Sequence, residues 1–161
     1  MNSTTDYSGR QVDMELLQTI SQPTGTRRLS ISIAQPIARI VTGIQKAVQR
    51  YATLFLSMKD SQFDSSLGTD FMAQVQQGWL GTREKVSTAF AFANADVMEI
   101  MQKDDRDAKY GDQPADEQVV QADLLDYQVD YASARLSLTI QLTTAAGDAV
   151  TFVLPTSAPR E

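Results

Sequence analysis

The sequence predicts an α+β domain: two long helices and shorter ones packed on one face of a small antiparallel sheet that ends in a C-terminal β-hairpin. Three observations carry this expectation. Apolar side chains alternate with polar ones through Val129 and Tyr131, then through Leu136, Leu138, Ile140 and Leu142, with Ser137, Thr139, Gln141 and Thr143 between them. That is the period of two of a half-buried strand. Ala145-Ala146-Gly147-Asp148 breaks the pattern, which resumes at Val150, Phe152 and Leu154 until Pro155, as in a hairpin with one wet and one dry face. Upstream, apolar residues recur at spacings of three and four over two long stretches, the period of amphipathic helices. A lone hairpin is marginal in water, so this one must pack on helices, further strands or another chain. Val153 and Ala149 put apolar surface on the wet face too, so the last strand wants a neighbour on both sides.

A chain of 161 residues that is 42% apolar holds one core. The expected organisation is an N-terminal arm with a short helix over residues 1–26 and a single α+β domain over 27–161. Within that domain 102–118 is an acidic connector and 119–154 the C-terminal sheet. The arm begins small and polar over residues 1–9, and Asp13–Ile20 is expected as a short helix with Met14, Leu16, Leu17 and Ile20 as its apolar side. Leu29, Ile31 and Ile33 alternate with Ser30 and Ser32, predicting a short strand or extended arm. Pro36 sits where a first-turn proline belongs, and Ile37, Ile40, Val41, Ile44, Ala47, Val48, Tyr51, Leu54 and Phe55 mark a long helix with Gly43 inside it. Arg39, Lys46 and Arg50 give that helix a basic face.

Lys59–Gly68 is expected as a loop anchored by Phe63. Thr69 or Asp70 then caps a short helix through Phe71, Met72 and Val75. Gly78-Trp79-Leu80-Gly81 is a corner in which Trp79 is expected to plug the core. Thr82 caps a second long helix whose Val86, Ala89, Phe90, Ala93, Val97, Ile100 and Met101 share a face. Phe92 and Met98 lie off that stripe, which points to a second buried surface or another subunit. Gln102–Gln118 lacks periodicity and contains Gly111 and Pro114, a connection rather than an element.

Composition narrows the function. With no cysteine and no histidine, thiolate nucleophiles, disulfides, imidazole bases and the usual zinc, copper and haem ligand sets are excluded. Catalysis would have to run on carboxylates, lysine, tyrosine or hydroxyls. No apolar run approaches the roughly 20 residues of a membrane span, and the N-terminus has no signal-peptide core, so a soluble protein made in the cytoplasm is expected. A net charge of −6 argues against nucleic acid as a partner, yet the signs are segregated. Arg27, Arg28, Arg39, Lys46, Arg50 and Lys59 follow one another with no acid between them, whereas Asp96–Asp130 is dominated by Asp and Glu. Two readings follow: the faces pair within the monomer, or they steer docking with partners or other copies.

No arrangement marks an active site. Asp104, Asp105, Asp107 and Asp112 suggest a calcium loop, but counting from Asp105 the fifth place is Lys109 and the sixth Tyr110, where a turn glycine is required. None of Glu15, Glu84, Glu99 and Glu117 sits in a context that raises its pKa opposite an ionised partner, as glycoside hydrolysis requires. Gly78 and Gly81 lack the Lys-Ser/Thr of a phosphate loop. No catalytic, metal or cofactor residue is expected.

The order polar arm, long helix, loop with an aromatic, Gly-Thr-Asp-Phe, two more helices, acidic connector and terminal hairpin, with Phe63, Asp64, Gly68, Thr69, Asp70 and Phe71, resembles the baseplate wedge and tail-sheath initiator family of contractile-tail phages. Members also occur in related contractile secretion machines. The resemblance runs from about Pro36 to Leu154. It implies a non-enzymatic virion protein of the tail baseplate, present as six copies in a ring and meeting sheath subunits, wedge proteins and the tail tube, with no nucleic acid or membrane as partner. It also implies that the sheet accepts extended arms of the first sheath layer by strand addition. The edge expected to receive them is Ala149, Val150, Thr151, Phe152, Val153 and Leu154. Phe63, Asp70 and Glu117 are the expected loop and connector contacts. Where the family carries Glu-Pro-Arg before its first sheet strand, this chain has Glu117-Gln118-Val119, and only the glutamate matches. The alternatives are another phage neck or baseplate adaptor and, in a different class, a carboxylate-dependent cell-wall glycosidase, although the residues give the lysozyme-like label of some members no support.

Overall fold

A computed structural model describes residues 13–21, 27–31, 40–60, 66–106, 113–130 and 135–157. In chain order these form β1 (Asp13–Met14), β2 (Leu17–Ser21), β3 (Arg27–Ile31), β4 (Ile40–Val41), α1 (Gly43–Leu56), α2 (Phe71–Gln76), α3 (Arg83–Arg106), β5 (Val119–Asp130), β6 (Arg135–Thr144) and β7 (Ala149–Ser157). The architecture is α+β, as the alternation and the helical stripes predict.

The expected β6–β7 hairpin forms, in a register that sets Ile140 opposite Phe152 and Leu142 opposite Val150. Its turn closes when Gly147 N–H donates to Thr144 O at 2.9 Å and Thr144 N–H donates to Asp148 O at 2.9 Å, with Gly147 at φ +88. Leu136, Leu138, Ile140, Leu142, Val150, Phe152 and Leu154 are all buried, so the dry face is the one read from the pattern. Pro155 does not end the strand. It lies opposite Ser137, and pairing continues to Ser157.

The helices cover that dry face. Val48, Tyr51, Ala52 and Phe55 of α1, Phe71 and Val75 of α2, and Val86, Phe90, Ala93, Val97 and Met101 of α3 join the sheet side chains in one core. An aromatic chain runs through it: Tyr51 meets Phe152 edge-on at 6.5 Å, and Phe55 contacts Phe71 at 4.8 Å and Phe90 at 5.6 Å. Each fully buried large apolar side chain contributes about 1.5–3 kcal/mol.

Several expectations are corrected here. Asp13–Ile20 is not helical but supplies β1 and most of β2. The β2–β3 hairpin straddles the expected boundary at residue 26 and joins the sheet, where Arg27 and Arg28 pair in parallel with Phe152 and Val153. The first long helix starts at Gly43 rather than near Pro36, because Gly43 has φ +63, outside the helical well, and Ile40–Val41 pair with β1. The second long helix runs on through Asp104 and Asp105 to Arg106, so the connector is shorter than 102–118. Pro36, Arg39, Phe63, Asp64, Asp107 and Asp112 lie outside the described residues.

The Gly-Thr-Asp-Phe segment has a mechanical role. Thr69 N–H donates to Ser57 O at 2.7 Å, and Lys59 N–H donates to Thr69 O at 3.3 Å, a parallel bridge across the end of α1. Thr69 Oγ1 donates to Phe55 O at 2.8 Å, satisfying a last-turn carbonyl, and accepts from Phe71 N–H at 3.3 Å at the start of α2. Gly68 permits this approach. It sits at φ +99, and a Cβ there would stand 2.5 Å from Ser57 O. Gly68→Ala is therefore expected to lower stability well beyond the roughly 1–2 kcal/mol of a left-handed alanine. Gly147→Ala, at φ +88 in open space, should cost only about that amount. Chemical denaturation of the two variants side by side checks the difference.

Candidate functional site

The segregated charges meet inside the chain. On α1, Lys46 Nζ donates to Glu117 Oε2 at 2.8 Å, and the other carboxylate oxygen accepts from Gly43 N–H at 3.0 Å. Glu117 is 2% exposed and Lys46 is also buried. The carboxylate thus neutralises a buried ammonium and also caps a helix whose Thr42 makes no side-chain cap bond. One turn on, Arg50 forks to Asp104 Oδ2 at 2.8 Å and Asp105 Oδ1 at 2.9 Å on the last turns of α3. Lys59 donates to Asp96 Oδ2 at 2.6 Å, and this bond holds its ammonium above the ordinary value.

Lys46 and Arg50 therefore do not form a free basic face, and Glu117 is a buried internal tie rather than an exposed partner contact. Of the expected loop contacts, Asp70 stands exposed at the start of α2, with Lys59 at 3.8 Å. Trp79 is not a core plug: it is 61% exposed, and the space between the helices is filled by Phe71 and Phe90 against Phe55. Phe92 is 69% exposed, and with Trp79 and Leu80 it borders a groove of about 500 Å³. Met98 packs half-buried against the core.

The largest correction concerns the sheet edge. Its strand order is β2-β3-β7-β6-β5, so Ala149–Leu154 belongs to an interior strand, paired with β6 along its length and with β3 at Phe152 and Val153. The apolar side chains on both faces, Val153 and Ala149 included, had indicated a strand with two neighbours. The long terminal strand is β5, which among the described residues pairs on one side only, with β6. The turn fixes which backbone groups of β5 face outward. Thr144 is bonded to the β7 side, so along β6 the even residues bond to β7 and the odd ones to β5. On β5 the partners of those odd residues are Gln121, Asp123, Asp126, Gln128 and Asp130, and they hold the ladder. Ala122, Leu124, Tyr127 and Val129 then direct their N–H and C=O outward. Asn94 on α3 agrees with this assignment, because its Nδ2 donates to Ala122 O at 3.3 Å.

Asn94 is itself held by Tyr51, whose hydroxyl donates to Asn94 Oδ1 at 2.8 Å. This short relay joins α1, α3 and β5, and burial pushes the Tyr51 phenol far above its ordinary value of 10.0. A second side-chain amide, Gln49, acts as a strand partner: its Oε1 accepts from Leu16 N–H at 2.7 Å and its Nε2 donates to Met14 O at 2.9 Å. Nothing in the local sequence marks Asn94 or Gln49, because both bond to segments distant in the chain. Among the described residues no group of three or more acidic side chains gathers to hold a metal ion, and no helix is long and apolar enough to cross a membrane.

No protein-family model matches the chain, no curated protein matches it, and no solved structure matches it.

Glu117→Gln should destabilise the fold by about 3–5 kcal/mol, since it takes the carboxylate charge from beside a buried ammonium, while Lys46→Met/Glu117→Leu should restore most of the loss. Denaturant midpoints of the three proteins check this. Because the folded pKa of Tyr51 is raised, its contribution is complete below about pH 10 and falls as pH rises further, where the unfolded chain ionises. Tyr51→Phe should be less stable by about 1 kcal/mol at neutral pH, but flatter in its alkaline unfolding profile, as circular dichroism against pH would show.

Proposed function

We propose that this chain is a structural, non-catalytic subunit of a contractile-tail baseplate that initiates the sheath by accepting extended arms at the edge of its sheet. The observation that carries the reading is β5: a 12-residue strand that among the described residues pairs on one side only, with its backbone groups at Leu124, Tyr127 and Val129 directed outward for main-chain hydrogen bonds. In this reading the acceptor edge is β5, on the opposite side of β6 from Ala149–Leu154.

Two further features support this role. The Gly-Thr-Asp-Phe segment that carries the resemblance is a rigid joint between α1 and α2, which suits a scaffold that must hold its edge in a fixed place. One carboxylate that acid–base work could use, Glu117, is instead held in an internal tie to Lys46. In this reading the protein resides in the virion tail, in six copies around the tube, and its partners are sheath subunits and wedge proteins. Copies set around a ring would each present β5 in an equivalent position, so the first sheath layer would inherit the symmetry.

The test is to mix the protein with a soluble contractile-sheath subunit, taken from beside its gene where one is encoded there, then sediment the mixture and view it by negative-stain microscopy. Sheath-like tubes seeded at substoichiometric protein are expected. A protein that stays folded and remains in the supernatant, with sheath assembly unchanged, would reject sheath initiation.

A further inference from the structure

We infer that the β5 edge is selective for an amphipathic basic strand, an extended segment with apolar residues at one set of alternate positions and Lys or Arg at the other. The inference rests on the acceptor reading above and names the chemistry of what that edge takes.

Two rows of β5 side chains define the fit. Leu124, Tyr127 and Val129 lie opposite Ile140, Leu138 and Leu136, so they extend the dry face to the edge, where they are only half-buried against the core. Their backbone groups are the outward ones, so a docking strand would form its hydrogen-bonded pairs with these residues and set its own apolar side chains beside them. Asp123, Asp126, Gln128 and Asp130 lie opposite Gln141, Thr139, Ser137 and Arg135 on the open face. The register shift between Leu124 and Asp126 leaves Leu125 as the extra residue, 52% exposed, and keeps Asp123 and Asp126 on the same face. Without that bulge, Asp126 would fall on the dry side.

Acidic side chains and bulges guard an edge against promiscuous pairing. Here the guard is selective by sign: it repels a neutral-to-acidic strand and favours one that carries cations at the alternate positions facing Asp123 and Asp126. Toward the start of β5 the edge closes, because Ala122 O is taken by Asn94 and a second register shift lies between Val119 and Gln121. The docking stretch is therefore Leu124–Asp130.

The probe is a short fluorescent peptide with Lys and Val alternating, compared with the same peptide carrying Glu for Lys, by anisotropy against the full chain. The Lys peptide should bind roughly tenfold more tightly, as two or three opposite-charge cross-strand pairs would give. Asp123→Lys/Asp126→Lys, two surface changes, should invert the preference. Tyr127→Pro should abolish binding of the Lys peptide, whereas Tyr127→Ala should weaken it only several-fold, because the Tyr127 N–H points outward and its loss spares the β6 ladder. Equal binding of the two peptides, or a preference unchanged by the charge reversal, would overturn the inference. So would self-association of the chain alone that the reversal removes, since the occupant would then be a second copy. Selective peptide binding without sheath seeding would reject the sheath reading and leave the strand selectivity standing, and seeding without peptide selectivity would do the reverse.

Discussion

The buried pair between Lys46 and Glu117 joins the start of the helical layer to the start of the sheet. Glu117 precedes β5 by two residues, and its carboxylate holds both the Lys46 ammonium and the first N–H of α1. A buried ion pair is a poor source of net stability, because desolvation offsets most of the attraction. Its value here is positional. The carboxylate can satisfy two donors only if α1 begins at Gly43 and β5 begins at Val119, so the pair sets where both elements start. The adjacent turn is tied to the hairpin as well, since Ala145 N–H donates to Gln118 O and Ala146 N–H to Ala115 O.

From that anchor the polar contacts run outward in one direction. Arg50 grips the end of α3, and Tyr51 holds Asn94, which reaches the outward carbonyl of Ala122. The helices therefore do more than cover apolar surface. They hold β5 from below by one of its own edge groups and leave the remainder of that edge, from Leu124 onward, unpaired among the described residues. An edge strand fixed at one end and open along the rest suits addition of a partner strand, because little ordering entropy remains to be lost on the protein side.

The N-terminal segment shows the same chemistry within the chain. β3 adds in parallel to β7, and Gln49 supplies from a helix the donor and acceptor that a strand would otherwise give to residues 14 and 16. The sheet has thus received a strand on its β7 side from its own N-terminus, while its β5 side keeps an acidic, bulged edge. The terminal strands are thus β2 on one side and β5 on the other, and the bulge with Asp123 and Asp126 belongs to the β5 side.

What the sequence determined by itself is the part governed by near neighbours. The dry face of β6 and β7 follows from strict alternation, Gly147 marks the turn, and the stripe from Val86 to Met101 marks α3, because period and burial are properties of adjacent residues. The run from Asp13 to Ile20 fits a helix on spacing alone, yet it is extended, because Gln49 and β3 offer its backbone partners that no local pattern reveals. Gly43 reads as a weak point inside a helix, but a carboxylate 74 residues away makes it the first turn. Trp79 turns outward because Phe71 and Phe90 already fill the place a tryptophan would take. The neighbours of β7, the partners of each charge and the identity of the free edge were decided only by tertiary structure. Each depends on contacts between segments far apart in the chain, which no local pattern encodes.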